Sequence, residues 1–185
     1  MTLLDREDSV LVVVDAQPGF LPAGADEAVV RMAWLVAVAA VLGIPVVVTE
    51  EEPERNGPTD PRVGDRLPAG AQTFTKPTFG LAASPEILEA VRATQRGTAV
   101  VVGGETDVCV AQSAIGLRDD GFSVVVVEDA TFSPGEMHER GLARIAADGV
   151  ARNHAKGVTY EWLRTVEDAH AILGDPGLPA PPFRL

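Results

Sequence analysis

Val10-Leu11-Val12-Val13-Val14 is an unbroken aliphatic run that ends at Asp15. A strand with one wet face alternates apolar and polar residues. This run does not alternate, so it reads as a strand buried on both faces, as in a parallel sheet covered by helices. A second run, Val100-Val101-Val102, leads into Gly103-Gly104-Glu105-Thr106-Asp107-Val108-Cys109-Val110. That stretch reads as a buried strand, a tight glycine turn, and the first turn of a helix carrying the only cysteine.

Helices and strands alternate along the rest of the chain. A helix is expected over 27–42, closed by Gly43. It is apolar nearly all round, with Trp34 in its middle. Such a helix is either deeply covered or lies at a subunit interface, and this favours a homo-oligomer. Further strands are expected over 45–49, 73–75, 98–102 and 123–127, with a short sixth at Val158-Thr159. Ser84 and Pro85 open a helix to about 95 as N-cap and N1. The cysteine helix is expected over 107–119. Ser133-Pro134-Gly135-Glu136 has a capping-box pattern and opens a helix to about 148. A last helix is expected over 161–173. The 50–72 stretch reads as a long loop, and loops of that length are often functional. The tail over 174–185 carries Pro176, Pro179, Pro181 and Pro182; it is expected to be extended, disordered or wrapped around a neighbour. The expected fold is one α/β domain over 1–185: a doubly wound, mostly parallel six-stranded sheet with helices on both faces.

The formal net charge of -12 argues against nucleic acid and anionic membrane as partners and leaves a small-molecule substrate open. One cysteine excludes an intramolecular disulfide and any Cys-x-x-Cys motif. The acidic start, Met1 to Asp8, lacks the basic region of a signal peptide, and the apolar run over 32–42 is too short for a bilayer. The expected location is cytoplasmic.

Ligands of doubly wound sheets bind beyond the carboxyl ends of the strands, at a switch point in strand order. Asp15, Lys76, Cys109 and Asp129 all fall near expected strand ends. A thiol at a helix N-terminus is drawn towards thiolate by free N–H groups and the dipole. It can attack a carbonyl carbon, Asp15 can take and return the proton, and Lys76 can hold Asp15. The N–H groups of the 105–109 turn can stabilise an oxyanion. Singly, each residue also has a structural role open to it. Cys109 can be a small buried hydrophobe, Asp15 a turn cap and Lys76 a solvated cation. Phe20 and Phe79 can line a pocket or pack its rim. Gly-x-Gly-x-x-Gly and Gly-x-Ser-x-Gly are both absent.

Four segments resemble the isochorismatase-like cysteine hydrolases, which include nicotinamidases and N-carbamoylsarcosine amidohydrolase. They are Val13-Val14-Asp15-Ala16-Gln17-Pro18-Gly19-Phe20, Lys76-Pro77-Thr78-Phe79, Gly104-Glu105-Thr106-Asp107-Val108-Cys109-Val110 and Val127-Glu128-Asp129-Ala130-Thr131. The resemblance implies a triad of Asp15, Lys76 and Cys109 that hydrolyses a C–N bond through a thiol adduct. It implies a cis peptide before Glu105, with the N–H groups of Glu105 and Cys109 facing the oxyanion. Thr106, as N-cap, could compete for one of these. Gln17, Phe20 and Phe79 are the expected substrate-side residues. Nicotinamidases carry Asp-x-His-x-x-His after the second strand. Here that region, Thr49 to Thr59, has no histidine, so no metal in that mode and no cofactor are expected. His138, His154 and His170 lack ligand spacing and are expected at the surface or in helix packing. Glu50-Glu51-Glu52 reads as a solvated edge, or as a repellent of anionic substrates. Two other functions stay open: isochorismatase-type vinyl-ether hydrolysis relying on Asp15, and a silent binding or scaffold protein.

Overall fold

All six residues of the first strand, β1 (Ser9–Val14), are buried. The computed structural model describes residues 2–184; Met1 and Leu185, which ends the proline-rich tail, lie outside them. After β1 come α1 (Asp26–Leu42), β2 (Val46–Glu51), the single turns α2 (Pro53–Asn56) and α3 (Pro61–Gly64), and β3 (Gln72–Lys76). Next are α4 (Pro85–Ala93), β4 (Thr98–Gly104), a wide turn over Thr106–Val110 and α5 (Ala111–Asp119). The chain ends with β5 (Ser123–Phe132), α6 (Met137–Ala147), β6 (Ala151–Asn153), α7 (Ala155–Leu163) and α8 (Val166–Leu173).

The sheet order is β3-β2-β1-β4-β5-β6, and every pairing is parallel. Because side chains alternate along a strand, each valine run feeds two cores. Leu11, Val13, Val48, Val100, Val102 and Val125 face α1 and α7. Val10, Val12, Val14, Val47, Val101 and Val126 face α4, α5 and α6. The unbroken runs therefore reflect helices on both sides. None of the described helices is long and apolar enough to cross a membrane.

Much of helix α1 is covered within its own chain. Val29, Met32 and 33–39 are buried. Its outer side meets α7, where Trp34 Nε1 donates to Thr159 Oγ1 at 3.0 Å. Phe183 of the tail stands edge-on to Trp34 with ring centroids 5.7 Å apart. Most of the apolar surface of α1 is thus met within its own chain, with Val30 and Val41 left exposed, and the tail folds back onto its own chain.

Several elements depart from the sequence expectation. The 50–72 loop carries the end of β2 and two proline-started helical turns. The sixth strand is Ala151–Asn153, beside Val125–Val127. Val158 and Thr159 sit on α7, fully buried, so their β-branched character serves helix packing. The last expected helix is two helices. Ser84 holds the N-cap position of α4 with Pro85 at N1, as expected, but makes no side-chain bond to the helix, and the expected Ser133 cap does not form. The Ser84 hydroxyl pairs with Thr78 Oγ1 at 3.0 Å, and α6 begins at Met137, leaving Ser133 Oγ to donate to Asp107 Oδ1 at 2.6 Å.

Candidate active site

Strand order reverses between β1 and β4, and the groups of interest gather just past their carboxyl ends. Asp15 follows β1 with φ 45°, a left-handed backbone that turns the chain out of the strand. Its N–H donates to the Thr49 carbonyl at 3.0 Å, and Thr49 Oγ1 donates to Asp15 Oδ1 at 2.8 Å. Gly103 lets β4 run close beside this bend. Its φ is 122°, and a Cβ there would lie 1.8 Å from the Val14 carbonyl oxygen. The Gly104–Glu105 peptide is cis.

Lys76 ends β3 and reaches inward, 1% exposed. Its Nζ lies 2.7 Å from Asp15 Oδ2 and 3.6 Å from Glu51 Oε2. It donates to the Thr78 carbonyl at 2.9 Å and towards Cys109 Sγ at 3.6 Å. Cys109, 4% exposed, donates its thiol proton to Glu51 Oε2 at 3.3 Å. It sits in the wide turn over Thr106–Val110, where Val110 N–H reaches back to the Glu105 carbonyl at 3.0 Å. The structure thus brings together Asp15, Lys76 and Cys109, and adds Glu51.

Two carboxylates, a third nearby at Glu105, and one ammonium make the site poor in positive charge. Burial pushes the Asp15 carboxyl above its ordinary value, although Lys76 and Thr49 pull it back in part. Burial also pushes the Cys109 thiol well up, and the Asp15 carboxylate adds to this against the opposing pull of Lys76. The wide turn runs on without a break into α5, so Cys109 lies in the first turn of a helical segment as expected, but burial and the acidic neighbours oppose the pull of that helix end towards thiolate. Burial, Asp107 and Glu51 raise Glu105 as well.

The other candidates fall in different places. Gln17 is fully buried, and both ends of its amide are used: Nε2 donates to the carbonyls of Glu51 and Gly57, and Oε1 accepts from Glu51 N–H at 2.7 Å. It holds the loop after β2 rather than facing a groove. Phe20 packs against the core on the α1 side. Phe79 is 54% exposed and lines a groove of about 730 Å³ with Glu51, Glu52, Arg55, Lys76 and Thr78. Asp129 does not join the site. The pairing of β5 with β4 jumps between Val101 and Gly103, so Asp129 bulges out of the ladder. Its carboxylate accepts from Ala155 N–H at 2.7 Å and pairs with Arg31 at 3.3 Å. Thr106 Oγ1 bonds His138 Nδ1 at 2.9 Å instead of capping the turn, and His154 caps α7.

Among the described residues, Asp15, Glu51 and Cys109 hold potential metal-ligand atoms within 4.8 Å of one another. They do not fit a divalent ion while Lys76 is charged, because Nζ already occupies the point that all three surround. A groove of about 780 Å³ between α7 and α8, lined by Tyr160, Arg164, Val166 and Leu173, brings together no thiol, buried lysine or buried carboxylate.

The fold defines a three-layer α/β protein whose polar groups converge at its switch point. Residues 9–153 match the isochorismatase domain, and the chain belongs to that family, whose members are generally hydrolases. Isochorismatase domain-containing protein 2 of Rattus norvegicus is 33% identical over 133 residues, which is 71% of this chain and 61% of that protein. The match therefore spans less than two thirds of that relative. Among solved structures, YcaC from Pseudomonas aeruginosa, with hexane-2,5-diol and covalent acrylamide, is 28% identical with a TM-score of 0.81. The alignment covers 92% of this chain and 90% of that one. The YcaC gene product of Escherichia coli, described as an octameric hydrolase of unknown specificity, is 26% identical with a TM-score of 0.87, covering 94% and 88%.

Proposed function

We propose that the protein is a cysteine hydrolase that opens a C–N bond of a small amide or carbamoyl substrate. The observation that carries this is the shared buried point at which Lys76 Nζ touches Asp15 at 2.7 Å and faces Cys109 Sγ at 3.6 Å. Asp15 is buried with a raised proton affinity, which suits a group that must accept and return a proton near neutral pH. The Cys109 thiol attacks the carbonyl carbon as its proton moves to Asp15. The tetrahedral adduct places its oxyanion towards the N–H groups of Glu105 and Cys109. Val108 and Val110 N–H are already committed to the Glu105 carbonyl. Asp15 then returns the proton to the leaving nitrogen, the C–N bond breaks, and a thioester remains. Water, deprotonated by Asp15, cleaves the thioester and regenerates the thiol. Lys76 holds the carboxylate in place and offsets charge as it develops on sulfur.

Covalent acrylamide on the Pseudomonas aeruginosa relative supports a nucleophilic side chain in this fold, since acrylamide is an electrophile. Cys109→Ala assayed on a panel of amides, carbamoyl compounds and vinyl ethers is the test. Loss of amide turnover by about 10³-fold or more is expected; turnover that survives Cys109→Ala would overturn the assignment and favour ether hydrolysis at Asp15. The octameric Escherichia coli relative supports a homo-oligomer, which light scattering would detect as a mass above that of one chain.

A further inference from the structure

Glu51 is built into place with more care than a solvated edge requires. It is the cross-strand partner of Lys76 in the pairing of β2 with β3. Its backbone is held from both ends. Gln17 Oε1 accepts its N–H at 2.7 Å, and its carbonyl accepts from Gln17 Nε2 at 3.1 Å and Asn56 Nδ2 at 2.9 Å. A fully buried glutamine amide is thus spent chiefly on fixing one residue. The effect is to hold Glu51 Oε2 at 3.3 Å from the nucleophilic sulfur and 3.6 Å from Lys76 Nζ, with the side chain still 18% exposed towards the groove.

The balance of charge there is negative. Lys76 Nζ is closest to Asp15 and also donates to Thr78 and the sulfur. Little positive charge is left to offset Glu51. Arg55 is the other cation lining the groove; its side chain is 80% exposed, and Glu52 lies 3.4 Å from it. An ionised carboxylate can only accept hydrogen bonds. It therefore suits an amide or ureido N–H at the reacting carbon and opposes a second carboxylate brought to the same place.

We propose that Glu51 is a charge filter at the nucleophile: it admits neutral or cationic N–H-bearing acyl donors and excludes donors with a carboxylate next to the reacting carbon. As a specificity role, this rests on Cys109 being the nucleophile.

Iodoacetamide and iodoacetate test it, because they deliver the same carbon with and without a negative charge. In both, sulfur displaces iodide and the thiol proton leaves to Asp15 or water. Cys109 is the only cysteine, so intact mass reports its labelling rate directly. The rate ratio is divided by that of free cysteine to remove intrinsic reactivity. The unmodified protein is expected to favour iodoacetamide at least tenfold beyond free cysteine, or about 1.4 kcal/mol. Glu51→Gln should bring the ratio within about threefold of free cysteine, and Glu51→Asp, which keeps the charge, should retain most of the preference. No preference in the unmodified protein, or an unchanged ratio in Glu51→Gln, overturns the filter. Failure of the hydrolase assignment would appear separately, as turnover surviving Cys109→Ala.

Discussion

Val14 and Asp15 are neighbours in the chain, and neither is exposed. Val14 and the run before it meet hydrocarbon from helices on both sides of the sheet. Asp15 meets a hydroxyl at 2.8 Å and an ammonium at 2.7 Å. Burial is the same, but its energetic sense reverses. A buried valine side chain stabilises by about 1.5–3 kcal/mol and needs only matching volume. A buried carboxylate costs several kcal/mol unless its partners are in place. The interior of the sheet is therefore tolerant of identity and sensitive to volume. The rim is sensitive to each polar atom. Changes in the interior should move stability and spare chemistry; changes at the rim should alter chemistry first, unless they strand a charge.

The harshest test lies at the boundary between the two regions. Gly103→Ala would drive a Cβ into the Val14 carbonyl at a left-handed φ. A loss above about 4 kcal/mol, or no folded protein, is expected from urea titration. Normal stability would show that the strand ends are not closely packed.

Lys76→Met comes next and tests the rim alone. Turnover should fall about 10³-fold or more, and stability at pH 7.5 by about 3–5 kcal/mol, because Asp15 is left buried and unpaired. The sign follows from Asp15, whose folded-state proton affinity is already raised. Without the ammonium it rises further. The penalty is absent below the unfolded carboxylate range near 3.8 and grows as pH rises through the folded value. Denaturation midpoints of the variant should thus approach those of the parent in acid, and adding Asp15→Asn should restore stability without activity. A penalty independent of pH would break the account.

Val101→Ala is the matching change in the interior. A loss of about 2 kcal/mol is expected, with turnover within about threefold of the parent. A larger loss of activity than of stability would erase the contrast.

The smallest effect concerns the resting thiol. Ordinary thiols titrate near 8.5, whereas burial and Asp15 hold Cys109 above that range. Iodoacetamide labelling should therefore keep rising with pH beyond 9, and Asp15→Asn should move the rise towards the ordinary range. A plateau at neutral pH would identify a thiolate at rest.

Much of the fold was legible in the chain because the strands lie in the middle of a sheet covered on both sides, so their composition needs no partner to interpret. Edges were harder. β6 reads Ala-Arg-Asn, half exposed at the border of the sheet, and carries no apolar run. Val158 and Thr159 misled because burial on a helix selects the same residues as burial in a strand. At the site, Asp15, Lys76 and Cys109 could be named from their positions near strand ends. Asp129 could not be separated from them, because a bulge in β5 is invisible in composition. Glu51 was hidden among three glutamates. Only the register that sets it beside Lys76 distinguishes it from Glu50, which bonds Thr59, and Glu52, which is exposed.

The sequence by itself determined the layered, mostly parallel sheet and the presence of one thiol, with a carboxylate and a lysine placed near expected strand ends. Local patterning records whether a residue is buried, since apolar area is removed from water wherever it sits in the chain. The tertiary structure alone decided that the tail packs against α1, that Asp129 accepts from the Ala155 N–H at the start of α7, and that Glu51 faces the sulfur. Those outcomes depend on distances between strands far apart in the chain. In a buried site, a few ångströms of separation set the sign of the electrostatics.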